Sequence, residues 1–119
     1  MPHKDRDSAS IYDMLDAARS VSQIILGVSF HSFISDRKLY RAVEREIEII
    51  GEAANRVSEA LKTANQDVPW AKIIGTRHRL AHEYDEIRLE IIYRIATVHL
   101  ADLTPQLERM LASLPPPSR

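Results

Sequence analysis

The chain has 119 residues, enough for one domain with a single core but not for two. Sixteen Lys and Arg stand against seventeen Asp and Glu, so the net charge of −1 excludes a bulk polyanion binder, and any nucleic-acid contact must come from a local basic patch. The lack of cysteine excludes disulfides and thiolate metal sites, and no apolar run reaches the length of a membrane span.

The start Met1-Pro2-His3-Lys4-Asp5-Arg6 is polar and unlike a signal peptide, so a soluble, cytoplasmic protein is expected. Residues 1–7 are expected to fray. Ser10 and Asp13 have the spacing of a capping box, in which hydroxyl and carboxylate each satisfy an orphan backbone N–H. From there Ile11, Met14, Leu15, Ala18, Val21, Ile25 and Val28 recur at three and four, predicting an amphipathic helix to about Phe33. Ser35 and Asp36 offer N-caps for a second helix. Its stripe of Leu39, Val43, Ile47, Ile50, Ala54, Val57 and Leu61 is the cleanest period in the chain. Gly51 interrupts that helix at a cost of about 1 kcal/mol against alanine, which close approach of a neighbouring helix explains.

Asn65-Gln66-Asp67-Val68-Pro69 reads as a turn, with Pro69 near the start of a short third helix. Trp70, Ile73, Ile74 and Leu80 are the buried side of that helix, Trp70 acting as its anchor. After a break at 83–86, Ile87, Ile91, Ile92, Ile95, Val98, Leu103, Leu107, Met110 and Leu114 mark a fourth helix. Pro105 either kinks it or restarts it with Thr104 as N-cap. Pro115-Pro116-Pro117 ends regular structure, leaving 115–119 flexible. No segment alternates as a strand does. The expected fold is all-α, an antiparallel four-helix bundle in one domain over 1–119. Ile49, Leu89 and Leu100 lie off the main stripes, which a dimer interface or a wide buried face explains equally well.

The polar residues are ordinary except in Gly75-Thr76-Arg77-His78-Arg79-Leu80-Ala81-His82-Glu83-Tyr84-Asp85. Arg77 and His82 are separated by about 140° and about 7.5 Å of rise on a regular helix, so they converge only if the helix ends near Ala81. His78 and His82 share a face, and Arg79 lies beside His82 at a spacing of three. Three chemistries fit. An arginine fork can hold a phosphate while a histidine moves protons, which suffices for RNA cleavage without a metal. His78 and His82 can form an H-x₃-H metal pair, which needs a distant third ligand such as His99, or Glu83 or Asp85, and suffers from two flanking arginines. Or Arg77 and Arg79 pair with Glu83, Asp85 and Glu86 on a solvated helix end, with His82 a satisfied side chain. Glu46 and Glu52 on the second helix could face the same place.

Arg77-x₄-His82-x-Tyr84 resembles the R-x₄₋₆-H-x-Y signature of the HEPN superfamily in its HepT-like branch. Glu48-Ile49-Ile50-Gly51-Glu52-Ala53-Ala54, Val68-Pro69-Trp70 and Ile74-Gly75-Thr76-Arg77 resemble that branch in the same order, so the likeness spans roughly residues 8 to 112. The resemblance implies a HEPN-like four-helix bundle that forms a homodimer, with motifs of two subunits facing one cleft. It further implies a metal-independent endoribonuclease toxin that uses no cofactor, with Arg77 and His82 as the catalytic pair and His78 and Arg79 positioning the RNA. A cognate MntA-like nucleotidyltransferase antitoxin would add AMP to Tyr84. Phosphates attached there would repel RNA and compete for Arg77. One departure stands out: many relatives carry asparagine after the motif arginine, where this chain has His78. The reading from a different class is a non-catalytic helical module that holds a nucleotidyltransferase, or a nucleotide, through the same patch.

Overall fold

The first apolar stripe forms α1, His3–Ile25, in a computed structural model that describes residues 3–116. Ile11, Met14, Leu15, Ala18 and Val21 are all buried along it. The helix starts well before the expected Ser10 cap, and Ser10 is itself buried in its interior. Tertiary bonds rather than a local capping box account for this. Asp7, in the stretch expected to fray, is buried and accepts from the Ser58 N–H at 2.8 Å and the Ser58 hydroxyl at 2.6 Å. Ser8 donates to the carbonyl of Pro115, and Asp13 pairs with Arg56 at 3.4 Å instead of capping. The loose ends expected at residues 1–2 and 117–119 lie outside the described residues.

The first helix also ends earlier than its pattern predicts. Gly27 adopts φ +74°, a left-handed conformation that glycine takes without a Cβ penalty. Ser29 then caps a short α2, Phe30–Ser35, by accepting from the Ser32 N–H. Asp36 caps α3, Arg37–Arg56, accepting from the Leu39 N–H at 3.1 Å as the sequence predicts. The α3 stripe does not run unbroken to Leu61. It stops at Val57, and α4, Glu59–Ala64, begins behind Ser58, whose hydroxyl accepts from the Leu61 N–H while donating to Asp7.

Helix α5, Trp70–Ala81, lies against α3. A Cβ at Gly51 would stand 3.1 Å from the Ile73 carbonyl oxygen, so the expected close helix approach is realised at that glycine. Trp70 is buried and donates its Nε1–H to the Asn65 carbonyl at 3.0 Å. The last rod runs through α6, Asp85–Arg94, a π-helical turn over Ile95–His99, and α7, Leu100–Ala112. Pro105 sits inside α7 with no restart, because the Thr104 hydroxyl donates back to the Leu100 carbonyl at 2.7 Å and caps nothing.

The result is an all-α bundle of four rods, α1, α3, α5 and α6–α7, with α2 and α4 as short connectors. Helix α1 packs on α3 and α7, while α3 carries α5 and touches α6. Phe30 and Phe33 each pack on Tyr93 with ring centroids 5.3 Å apart, and the Tyr93 hydroxyl donates to the Val28 carbonyl at 2.7 Å, tying α2 to α6. Leu100 belongs to the core, and Ile49 and Leu89 are partly buried against it.

Candidate active site

The end of α5 is shaped by where its apolar side stops. Leu80 is buried, and the helix closes one residue later at Ala81. The last turn tightens: the His82 N–H donates to the Arg79 carbonyl and the Glu83 N–H to the Leu80 carbonyl, both at 3.3 Å. His82 is therefore the C-cap, with φ −103° and ψ 8°. Tyr84 follows as the N-cap of α6. The charges suit the ends they occupy, His78 and Arg79 in the last turn of α5 and Asp85 and Glu86 in the first turn of α6.

His78 and His82 meet. Their rings lie edge to face with centroids 4.5 Å apart, as the shared face predicts. Among the described residues no group of three or more His, Cys, Asp or Glu side chains gathers in a way that could hold a metal ion. Tyr84 is 85% exposed, its ring in solvent beside the motif.

Arg77 turns towards α3. Its Nε lies 3.7 Å from Oε2 of Glu48, and its side chain is 72% exposed. It lines a hollow of about 280 Å³ with Glu44, Glu48, Leu80, Glu83 and Arg88. Glu44 is bound to Arg88, which also reaches Asp85 at 3.5 Å. The third reading, in which Arg77 and Arg79 pair with Glu83, Asp85 and Glu86, finds no such ion pair within 4 Å among the described residues. The acids of α3 that share this hollow with Arg77 are Glu44 and Glu48 rather than Glu46 or Glu52, and Glu52 pairs with Arg45 on its own helix at 3.3 Å. Their spacing of four on α3 was the available signal, but only the packing of α5 says which acidic face is met. Arg88 was missed for the same reason. Arg79 opens away from this hollow into a larger one on the other side of α5.

The chemistry available is a guanidinium able to grip an anionic oxygen and, at the helix end, two imidazoles able to carry a proton. An all-helical bundle with Arg-x₄-His-x-Tyr at the junction of two helices defines a HEPN-type protein. Within that class the chain belongs to the HepT-like family, whose description is Ribonuclease HepT-like and whose model matches residues 14–110. A protein of Caldanaerobacter subterraneus subsp. tengcongensis, named as a candidate RNase, is 34% identical over 73% of this chain and 78% of its own length. Another named in the same way, from Methanocaldococcus jannaschii, is 30% identical over 96% of this chain and 93% of its own. A third, from Thermococcus cleftensis and named as a candidate HepT ribonuclease, is 25% identical over 91% of this chain and 94% of its own. No solved structure gives a significant match. Among the described residues no helix is long and apolar enough to cross a membrane.

Proposed function

We propose that the chain is a metal-independent endoribonuclease that acts as the toxin of a toxin–antitoxin pair in the cytoplasm. The observation that carries this reading is the end of α5 at Ala81, which leaves His82 as a cap in ring contact with His78 and five residues from the exposed Arg77. In the reaction His82 takes the proton of the ribose 2′-hydroxyl, and the imidazolium so formed returns it to the departing 5′-oxygen. The 2′-oxygen attacks the adjacent phosphorus, the P–O5′ bond breaks, and the products are a 2′,3′-cyclic phosphate and a 5′-hydroxyl. Arg77 stabilises the negative charge that gathers on the non-bridging oxygens. A positioned acid–base group contributes roughly 10²–10⁴-fold in rate. His78 and Arg79 position the strand, and a second copy of the chain completes the cleft.

The exposure of Tyr84 supports its role as the regulated residue. A cognate nucleotidyltransferase would join its hydroxyl to the α-phosphorus of ATP with release of pyrophosphate. The added phosphate, beside His82, would then repel RNA. The test is cleavage of single-stranded RNA in EDTA by the purified protein, with cyclic phosphate ends. His82→Ala should abolish it while the helical circular dichroism and melting temperature stay unchanged. Cleavage by that variant at the parent rate removes His82 from the mechanism.

One observation favours a second reading. The hollow beside Arg77 holds three carboxylates, Glu44, Glu48 and Glu83, against Arg77 and Arg88, an acidic surplus that works against a phosphate. A non-catalytic module that docks a nucleotidyltransferase would show no cleavage at any protein concentration, yet form a stable heterocomplex.

A further inference from the structure

Helix α5 separates two hollows, and the larger, about 540 Å³, lies on the side away from Arg77. Its floor is apolar, built from side chains such as Ile50 of α3, Ile73 of α5 and Ile95 of the last rod. Along one rim Lys72, Thr76 and Arg79 follow one another at spacings of four and three, one face of α5. Across from them stand Arg94 and His99. None of these four basic side chains forms an ion pair within 4 Å among the described residues, a state shared by surface cations such as Arg37, Lys38, Arg41 and Arg109; what sets the four apart is that they gather around one hollow.

The π turn puts Arg94 and His99 on the same rim. On a regular α-helix residues five apart point about 140° away from each other. The Leu100 N–H donates to the Ile95 carbonyl, an i→i−5 bond, and in that wider turn the angle between residues five apart narrows. The Thr97 hydroxyl donates to the Tyr93 carbonyl at 2.7 Å and so enters the backbone ladder at this point. Pro105 is not the cause, since its ring opposes the carbonyl of Ala101, beyond the π turn. Single π turns in α-helices occur frequently at functional sites.

The acceptors narrow the ligand. Asp102 lines the rim without an ion pair among the described residues, and Asp67 takes a bond from the Gln106 amide at 3.2 Å. A simple fatty anion would gain nothing from those two carboxylates. A molecule with a flat apolar ring, hydroxyl or amino donors and a phosphate can use all three parts of the wall. The ring covers the isoleucines, the donors meet Asp67 and Asp102, and the phosphate takes the arginine forks and Lys72. The volume falls in the range of roughly 300–1,000 Å³ typical of small-molecule sites.

We propose that this groove is a nucleoside-phosphate site, filled either by a nucleotide of an RNA strand passing over the end of α5 or by a free mononucleotide. The RNA source rests on the ribonuclease reading; the mononucleotide source does not. The experiment titrates full-length protein, in a His82→Ala background that stops cleavage, with AMP and with a fluorescein-labelled single-stranded RNA. It then repeats both with Lys72→Gln/Arg94→Gln added. Both positions are exposed, so the double variant should keep its circular dichroism. The expected result is a dissociation constant raised roughly tenfold or more by the double variant. A change for AMP identifies a free nucleotide, and a change for RNA alone identifies the strand. Amide shifts on binding should cluster at Thr76 and at 94–100. Unchanged affinities for both probes, or shifts confined to residues remote from the groove, overturn the proposal. So does a double variant that loses only self-association, which would make a second copy the occupant. Cleavage by the His82-intact protein is scored separately. AMP binding without any cleavage leaves this site standing and removes the nuclease, and cleavage with unaffected binding does the reverse.

Discussion

Nε of Arg77 faces Oε2 of Glu48 across 3.7 Å, so the arginine that would grip a phosphate already has a carboxylate before it. With Arg77 72% exposed the pair is worth less than about 1 kcal/mol to the fold. Its consequence is for binding. A substrate phosphate must displace Glu48 or share the guanidinium with it. Glu48→Gln should therefore lower KM for RNA several-fold while shifting the melting temperature little. A fall in kcat at unchanged KM would show instead that Glu48 holds Arg77 in place, and steady-state cleavage kinetics separate the two.

Tyr84 offers a prediction independent of cleavage. With Tyr84 85% exposed, no rearrangement is needed for an enzyme to reach the hydroxyl. Co-expression with a cognate nucleotidyltransferase should add AMP-sized mass increments mapping to Tyr84, and Tyr84→Phe should remove them. Increments that persist in the phenylalanine variant place the modification elsewhere.

The two helical glycines away from the α1 end should respond to alanine in opposite directions. At Gly75 nothing lies within 4 Å of a new Cβ, so Gly75→Ala should gain helix propensity, about 1 kcal/mol. At Gly51 the same gain meets a backbone carbonyl 3.1 Å away, and overpacking costs of about 1–3 kcal/mol should outweigh it. Urea denaturation of both variants checks the sign of each.

Asp7 binds two donors of Ser58 from a buried position, so Asp7→Ala should cost about 1–3 kcal/mol. The Ser58 hydroxyl then keeps the bond it accepts from the Leu61 N–H, but its backbone N–H loses its acceptor. A midpoint unchanged in urea would mean that the start of α1 contributes nothing to holding α4.

Helix existence was legible in the chain wherever apolar residues repeat at three and four, and Asp36 and Gly51 were legible because their roles are local or have one steric meaning. The breaks at Gly27 and Ser58 were hidden, since the apolar period runs on through both while the backbone does not. The same holds for the long start of α1, which depends on Asp7 finding Ser58 fifty-one residues away.

At the site, the sequence by itself determined the residue types and the contact of His78 with His82, because four residues on a helix bring side chains together whatever surrounds them. Only the tertiary structure decided what each arginine faces. Arg77 and Arg79 are two residues apart, yet one turns to the carboxylates of α3 and the other to a groove shared with the π turn of the last rod. Helical spacing sets the angle between two side chains; the packing of α5 against its neighbours sets what lies along each direction.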